Sequence, residues 1–304
     1  MKTLMKAVML VGILALGTTR SDAKPVNVVA STLDMADIAK EVGGDRVSVY
    51  AVSTGKYDLH FFDPRPSQVM KLRDADLLIV GGLDLDVWIQ GLIDASRNSK
   101  IRFGAVGYVD PSDGIRPIQV PKGRIDGAMG DVHPYGNPHY WVTLEHVRIV
   151  VENIADGLIR VSPEDAEYVK RGKAAYLQKV AEVFDDLHKK LEPFKGTKVL
   201  QYHQSWDYFC MEFGLEIVGS LEPKPGIPPS PSHLQELVSW ARHEGAKLML
   251  IEPYYPERPV EFVARETGVK VLRLPFYAGG KDGVDSFLGN LTYNVNQIVQ
   301  ALSG

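Results

Sequence analysis

The stretch SPEDAEYVKRGKAAYLQKVAEVFDDLHKKLEP, residues 162–193, decides how the chain is organised. Ser162 suits a helix N-cap, Pro163 the first helical position, and Glu164 and Asp165 complement the positive end of a helix dipole. Leu177, Val180, Phe184, Leu187 and Leu191 then recur at helical spacing, an apolar stripe along one face. The pattern runs unbroken to Glu192-Pro193, roughly 30 residues or about 45 Å of helix. A helix of that length can cross from one lobe to another and act as a stiff strut.

On both sides of the strut, short apolar runs alternate with helix-like segments. Upstream, Val26 to Ser31 reads as a strand and Thr32 to Val42 as a helix ended by Gly43-Gly44. Val47 to Val52 is a second strand, Pro66 to Asp74 a helix starting near Ser67, Leu77 to Gly82 a buried strand, and Asp86 to Ser96 a helix. From Pro111 to Pro138 the text turns to Pro, Gly and Asp, a long loop of the kind that is usually functional. A helix from about Leu144 to Arg160 leads into the strut. Downstream the alternation restarts: strands at Lys198 to Tyr202, Leu215 to Ser220, Leu248 to Ile251 and Lys270 to Leu274. Between and after them come helices at Trp206 to Phe213, Ser232 to Glu244 with Ser232 as cap, Arg258 to Thr267, and Ser286 to Leu302. Such alternation predicts parallel sheets. The expected fold is therefore α/β: two Rossmann-like lobes, each a parallel sheet flanked by helices, joined by one long rigid connecting helix. The boundaries read as a signal peptide at 1–23, an N-terminal lobe at 24–161, the connecting helix at 162–194 and a C-terminal lobe at 195–304.

The signal peptide rests on Lys2 and Lys6, the apolar run Ala7 to Leu16, and the cleavage pattern Ser21-Asp22-Ala23. The apolar run is too short to span a bilayer, which needs roughly 20 residues. A single cysteine, Cys210, excludes a disulfide framework and lies far from any site for N-terminal lipid attachment. A soluble periplasmic protein is expected. The net charge of −4 becomes more acidic when Lys2, Lys6 and Arg20 leave with the signal, which gives no support to nucleic-acid binding.

Three of the 8 histidines stand in contexts that present them: Asp58-Leu59-His60 before Phe61-Phe62-Asp63-Pro64, Asn137-Pro138-His139-Tyr140-Trp141, and Gln201-Tyr202-His203-Gln204-Ser205-Trp206. His60 and His203 follow strands, and His139 closes the long loop. Ligands of open α/β sheets bind beyond the carboxyl ends of strands, so the three can converge between the lobes. Imidazole is the commonest protein ligand for zinc, and three of them leave a fourth tetrahedral position. His133, six residues before His139, is a further candidate; His146, His188, His233 and His243 read as ordinary polar residues on helices.

These features resemble the metal-binding substrate-binding proteins of bacterial ABC transporters, the periplasmic zinc and manganese receptors. Asp58-Leu59-His60 with Pro64 and Pro66-Ser67 is similar to that family's Asp-Pro-His…Pro-x-Pro-Ser motif, and Asn137-Pro138-His139-Tyr140-Trp141 to its Asp-Pro-His-x-Trp motif. His203 to Phe209 looks like its His-x-x-Phe-x-Tyr-Phe segment, Ile251-Glu252-Pro253 like its strand ending in Glu-Pro, and Asp285-Ser286-Phe287 with Tyr293-Asn294 like the start of its last helix. The resemblance implies a monomer that captures a divalent cation between its lobes and hands it to a membrane permease, with a metallochaperone as a further candidate partner. His at the third ligand position points to zinc rather than manganese, as imidazole chemistry does. The sequence departs from the family at Arg273-Leu274-Pro275-Phe276, where a ligand Asp usually stands. Glu252, Asp282 and water are the candidates for the fourth position. The 123–136 loop holds only Asp126, Asp131 and His133 as ion-gathering residues. Two other readings remain open at this point. One is a secreted hydrolase using a three-histidine zinc-bound water with Glu252 as general base. The other is an adhesin holding a structural metal.

Overall fold

The computed structural model describes residues 24–123, 130 and 133–304. The expected signal peptide, Asp126 and Asp131 lie outside the described residues. Two four-stranded parallel sheets form the framework. The first contains β1 (Val26–Ala30), β2 (Val47–Ala51), β3 (Leu77–Ile79) and β4 (Tyr108–Val109), in the order β2-β1-β3-β4. The second contains β5 (Lys198–Gln201), β6 (Glu216–Ser220), β7 (Leu248–Ile251) and β8 (Lys270–Arg273), in the order β6-β5-β7-β8. Both sheets thus place their strands in the same 2-1-3-4 sequence, so the two halves share one topology. Helices α1 (Leu33–Gly43), α2 (Gln68–Arg73), α3 (Ile89–Ser96) and α4 (Leu144–Val161) cover the first sheet; α6 (Asp207–Phe213), α7 (Pro231–Glu244), α8 (Glu257–Thr267) and α9 (Phe287–Ser303) cover the second.

Between them runs α5 (Ala166–Leu191), the strut. Its entry differs from expectation. Residues Pro163–Asp165 form a 3-10 turn, and the Ser162 hydroxyl bonds the Asp165 carboxylate at 2.8 Å instead of capping a backbone amide. Glu192–Phe194 forms a second 3-10 turn at the exit, as proline at the second position permits. The apolar stripe is realised in part as predicted: Val180, Phe184, Leu187 and Leu191 are buried, while Leu177 is only partly covered. Val169 and Tyr176 extend the buried face toward the helix start. Gly172 allows the strut to cross α1 closely, since a Cβ there would stand 2.1 Å from the Val42 carbonyl oxygen.

One hydrophobic core joins the lobes. It includes Val28 and Leu77 from the first sheet, Val180, Phe184 and Leu187 from the strut, Val199 and Leu248 from the second sheet, and Leu291 and Val295 from α9. Two carboxylates reinforce this side from α1: Asp34 accepts from the Ala278 amide at 3.2 Å and Asp37 from the Phe287 amide at 2.8 Å. The outer layers of each sheet form two separate, smaller cores.

Thr32, Thr143 and Ser286 cap α1, α4 and α9 through their hydroxyls. At α7 the cap is Ser230, which accepts from the His233 amide, with Pro231 as the first helical residue. Proline at the first turn has no amide to satisfy, so the helix starts one residue before the expected Ser232. No helix among the described residues is long and apolar enough to cross a membrane.

Candidate metal centre

His203 is delivered two residues beyond β5, as the pattern implied. His60 is presented differently: eight residues separate it from the end of β2, so a loop carries it and no strand end does. That loop is held by a fully buried Leu59, whose carbonyl accepts from the Trp88 indole at 2.8 Å, and by the Asp58 carboxylate, which accepts from the His60 amide at 3.0 Å. His139 is anchored by its neighbours. Tyr140 and Trp141 are fully buried, and the Tyr140 hydroxyl donates to the Gly81 carbonyl at 2.7 Å.

The three histidines meet between the lobes. One nitrogen from each lies within 4.8 Å of the other two. Their ring centroids stand 5.2, 5.1 and 5.3 Å apart, nearly an equilateral triangle. His139 and His203 are buried and His60 half-buried. A cavity of about 210 Å³ opens beside them, lined in part by Gln119, Pro121, Asn137 and Pro225.

Hydrogen bonds determine which nitrogens face inward. Asn137 Oδ1 accepts from the His139 amide at 2.9 Å, which identifies that atom as the oxygen. The same oxygen lies 2.9 Å from His139 Nδ1, so Nδ1 carries the proton and Nε2 keeps its lone pair. His203 Nδ1 lies 2.8 Å from the Glu222 carboxylate, which likewise leaves Nε2 for the cluster. His60 and His139 approach each other through their Nε2 atoms at 3.2 Å, and His60 Nδ1 meets His133 Nε2 at 3.2 Å. Such outward partners orient metal-binding imidazoles.

The electrostatics divide the three ligands. Burial, then the neighbouring imidazoles, push the His60 and His139 rings well below the usual histidine range, so both stay neutral. Burial acts the same way on His203, but the hydrogen bond and charge of Glu222 outweigh it and raise that ring. Three imidazoles facing one another, two of them held neutral, form a ready-made site for a cation.

The candidates for the fourth position separate clearly. Asp282 is exposed and bonds Lys56 at 2.7 Å, away from the cluster. Glu252 is fully buried, and burial pushes its carboxyl up to about 7 against the pull of Ser205 and His203. It does not join the three-nitrogen group, and no carboxylate among the described residues does. Where the family places an Asp, the chain turns the Pro275 carbonyl toward the amides of Asn290 and Asn294 and sets the Phe276 ring edge-on to His139 at 5.2 Å. His133 stands behind His60 and buttresses it. Sequence reasoning missed Glu222: it lies 19 residues from His203 in the chain, and no local motif marks it.

Comparison with known proteins agrees with this geometry. The family model of ZnuA, the periplasmic component A of a zinc-uptake complex, matches residues 28–301. The metal ABC transporter substrate-binding lipoprotein ScbA of Streptococcus cristatus is 24% identical over 296 residues, covering 94% of this chain and 92% of that protein. The manganese ABC transporter substrate-binding lipoprotein PsaA of Streptococcus pneumoniae is 23% identical with the same coverage. Among solved structures, a crystal structure of ZnuA superposes with a TM-score of 0.76 at 22% identity, covering 91% of this chain and 99% of that one. A cadmium-bound periplasmic metal-binding protein from Candidatus Liberibacter asiaticus gives 0.75 at 23% identity, with 92% and 100% covered. The fold, the interlobe histidines and a family match spanning nearly the whole chain lead to one conclusion: the protein belongs to the ZnuA family of metal-binding components of ABC transporters.

Proposed function

We propose that the protein is a periplasmic zinc receptor, which holds one zinc ion at His60, His139 and His203 and delivers it to the permease of an ABC importer. The observation that carries this reading is the convergence of three imidazole nitrogens from both lobes, with outward partners on each ring. Zinc is preferred over manganese because the inward donors are nitrogens, whereas manganese favours carboxylate and carbonyl oxygen. The manganese in the names of the streptococcal relatives describes those proteins. Water or a reoriented Glu252 completes the tetrahedron. We infer a non-enzymatic, monomeric carrier: the relatives are transport components, and the cleft is built to enclose an ion.

Metal competition tests the assignment. The mature protein should bind one equivalent of zinc and prefer it over manganese by at least about 100-fold, as a nitrogen donor set favours. Tighter binding of manganese than of zinc would refute the zinc assignment, and rapid hydrolysis of ester or peptide substrates by the zinc form would revive the hydrolase.

A further inference from the structure

Resting on the zinc-site reading above, we propose that Glu222 is a positioning residue for metal capture. It fixes the orientation and tautomer of His203, supplies negative charge behind that ligand, and ties it to the turn that walls the cavity.

The placement of Glu222 follows from the second sheet. Beyond the ends of β5 and β6 the parallel pairing continues: the Leu221 amide donates to the Gln201 carbonyl at 2.9 Å and the Glu222 amide to the Tyr202 carbonyl at 3.0 Å. This continuation carries Glu222 out beside His203 on the adjoining strand extension. Both side chains are enclosed, at 10% and 5% exposure. An acid that buried is expected to have a specific partner.

Glu222 Oε2 has two. It lies 2.8 Å from His203 Nδ1 and accepts from the Gly226 amide at 3.0 Å. A carboxylate oxygen accepts, so Nδ1 is the His203 nitrogen that donates to Glu222. Nε2 is then the nitrogen left to face His60 and His139. The bond to Gly226 closes the turn after Glu222, and Pro225 within that turn lines the cavity. One oxygen atom thus connects a metal ligand to the wall of the cleft.

The three ligands differ in what stands behind them. The His133 ring and the Asn137 amide oxygen meet the outer nitrogens of His60 and His139. An anion meets that of His203. A carboxylate behind an imidazole increases its basicity toward a dication and offsets part of the charge that the ion brings into a buried site. Glu222 therefore acts through His203 and need not touch the metal.

The test is zinc affinity by chelator competition on the full mature chain, with cobalt(II) absorption as a reporter of ligand geometry. Glu222→Ala should weaken zinc binding by about 10–100-fold, the range for outer-sphere partners of metal ligands. It should also change the cobalt ligand-field bands. Glu222→Gln should recover much of the loss, because one amide oxygen can accept both bonds, yet stay a few-fold weaker than wild type for want of charge. In a His203→Ala background, Glu222→Ala should cost nothing more. Wild-type affinity in Glu222→Ala, or the same loss with and without His203, overturns the role. If Ala leaves too little folded protein, Glu222→Gln decides: weaker zinc binding at an unchanged unfolding temperature supports the role, and equal binding contradicts it. Failure of the underlying site looks different, since His203→Ala itself would then bind zinc like the wild type.

Discussion

Along the back of the molecule, α5 lies against α1, α4 and α9, and Phe184, Leu187 and Leu191 are buried in a core drawn from both lobes. At the front, the same lobes meet through polar groups. The Gln119 amide donates to Asp207 at 2.7 Å, Asn137 Nδ2 to the Gln204 carbonyl at 2.7 Å, and the Tyr208 hydroxyl to the Asn137 carbonyl at 3.1 Å. Non-directional apolar packing tolerates no gap, whereas a hydrogen bond at a cleft exchanges with water at a net cost of only about 1 kcal/mol. The back therefore fixes the relation of the lobes, and the contacts at the front are those that exchange most readily with water. Asn137 joins the two functions: its oxygen orients His139 while its nitrogen bonds the residue after His203.

This contrast can be broken at several points. The largest effect should come from the back. Phe184→Ala removes a fully buried ring that stacks on Phe213 at 6.1 Å and should cost about 3–5 kcal/mol in chemical denaturation. Zinc affinity of the protein that remains folded should stay near wild type; a large affinity loss would mean that the strut shapes the site directly. Next in size, alanine at His60, His139 or His203 should weaken zinc binding by more than the roughly 100-fold that outer partners control, while the unfolding midpoint of the metal-free protein barely moves. Unchanged affinity in all three would remove the site from the cleft. Asn137→Ala frees the His139 ring and breaks the front contact with Gln204, so a loss of about 10-fold in zinc affinity is expected from competition titration.

The smallest effect concerns pH. Burial pushes the Asp34 carboxyl up to about 7, from its ordinary value of 3.8. The folded state then holds more protons than the unfolded one between those values, so this group makes stability fall as pH rises through that window. Asp34→Asn keeps an acceptor for the Ala278 amide but cannot ionise. Its thermal midpoint should change less between pH 5 and 8 than that of the wild type, by a few degrees. An identical pH slope would show that Asp34 ionises without penalty at the interlobe contact.

Much of the back was legible in the sequence because periodicity records burial. The 3-4 stepping of Val180, Phe184, Leu187 and Leu191 is the direct imprint of one helix face on a core. The apolar runs at Leu77–Ile79 and Leu248–Ile251 mark strands buried on both faces. The two-residue β4 left no such imprint, being too short for any pattern. The front was legible only where a ligand stood in a local motif, as His139 does between Asn137-Pro138 and Tyr140-Trp141. Glu222 was not, since its role arises from two strand extensions lying side by side. Asp282 failed as a candidate for a similar reason: a glycine-rich loop permits many positions, and its salt bridge with Lys56 holds it outside.

Anomalous diffraction at the zinc edge from crystals of the zinc-loaded protein tests the central claim most directly. The account predicts a single peak between the lobes, about 2.0–2.1 Å from Nε2 of His60, His139 and His203, with an oxygen in the fourth position. A peak that lacks one of these three nitrogens, or a principal site anywhere else on the molecule, would contradict it.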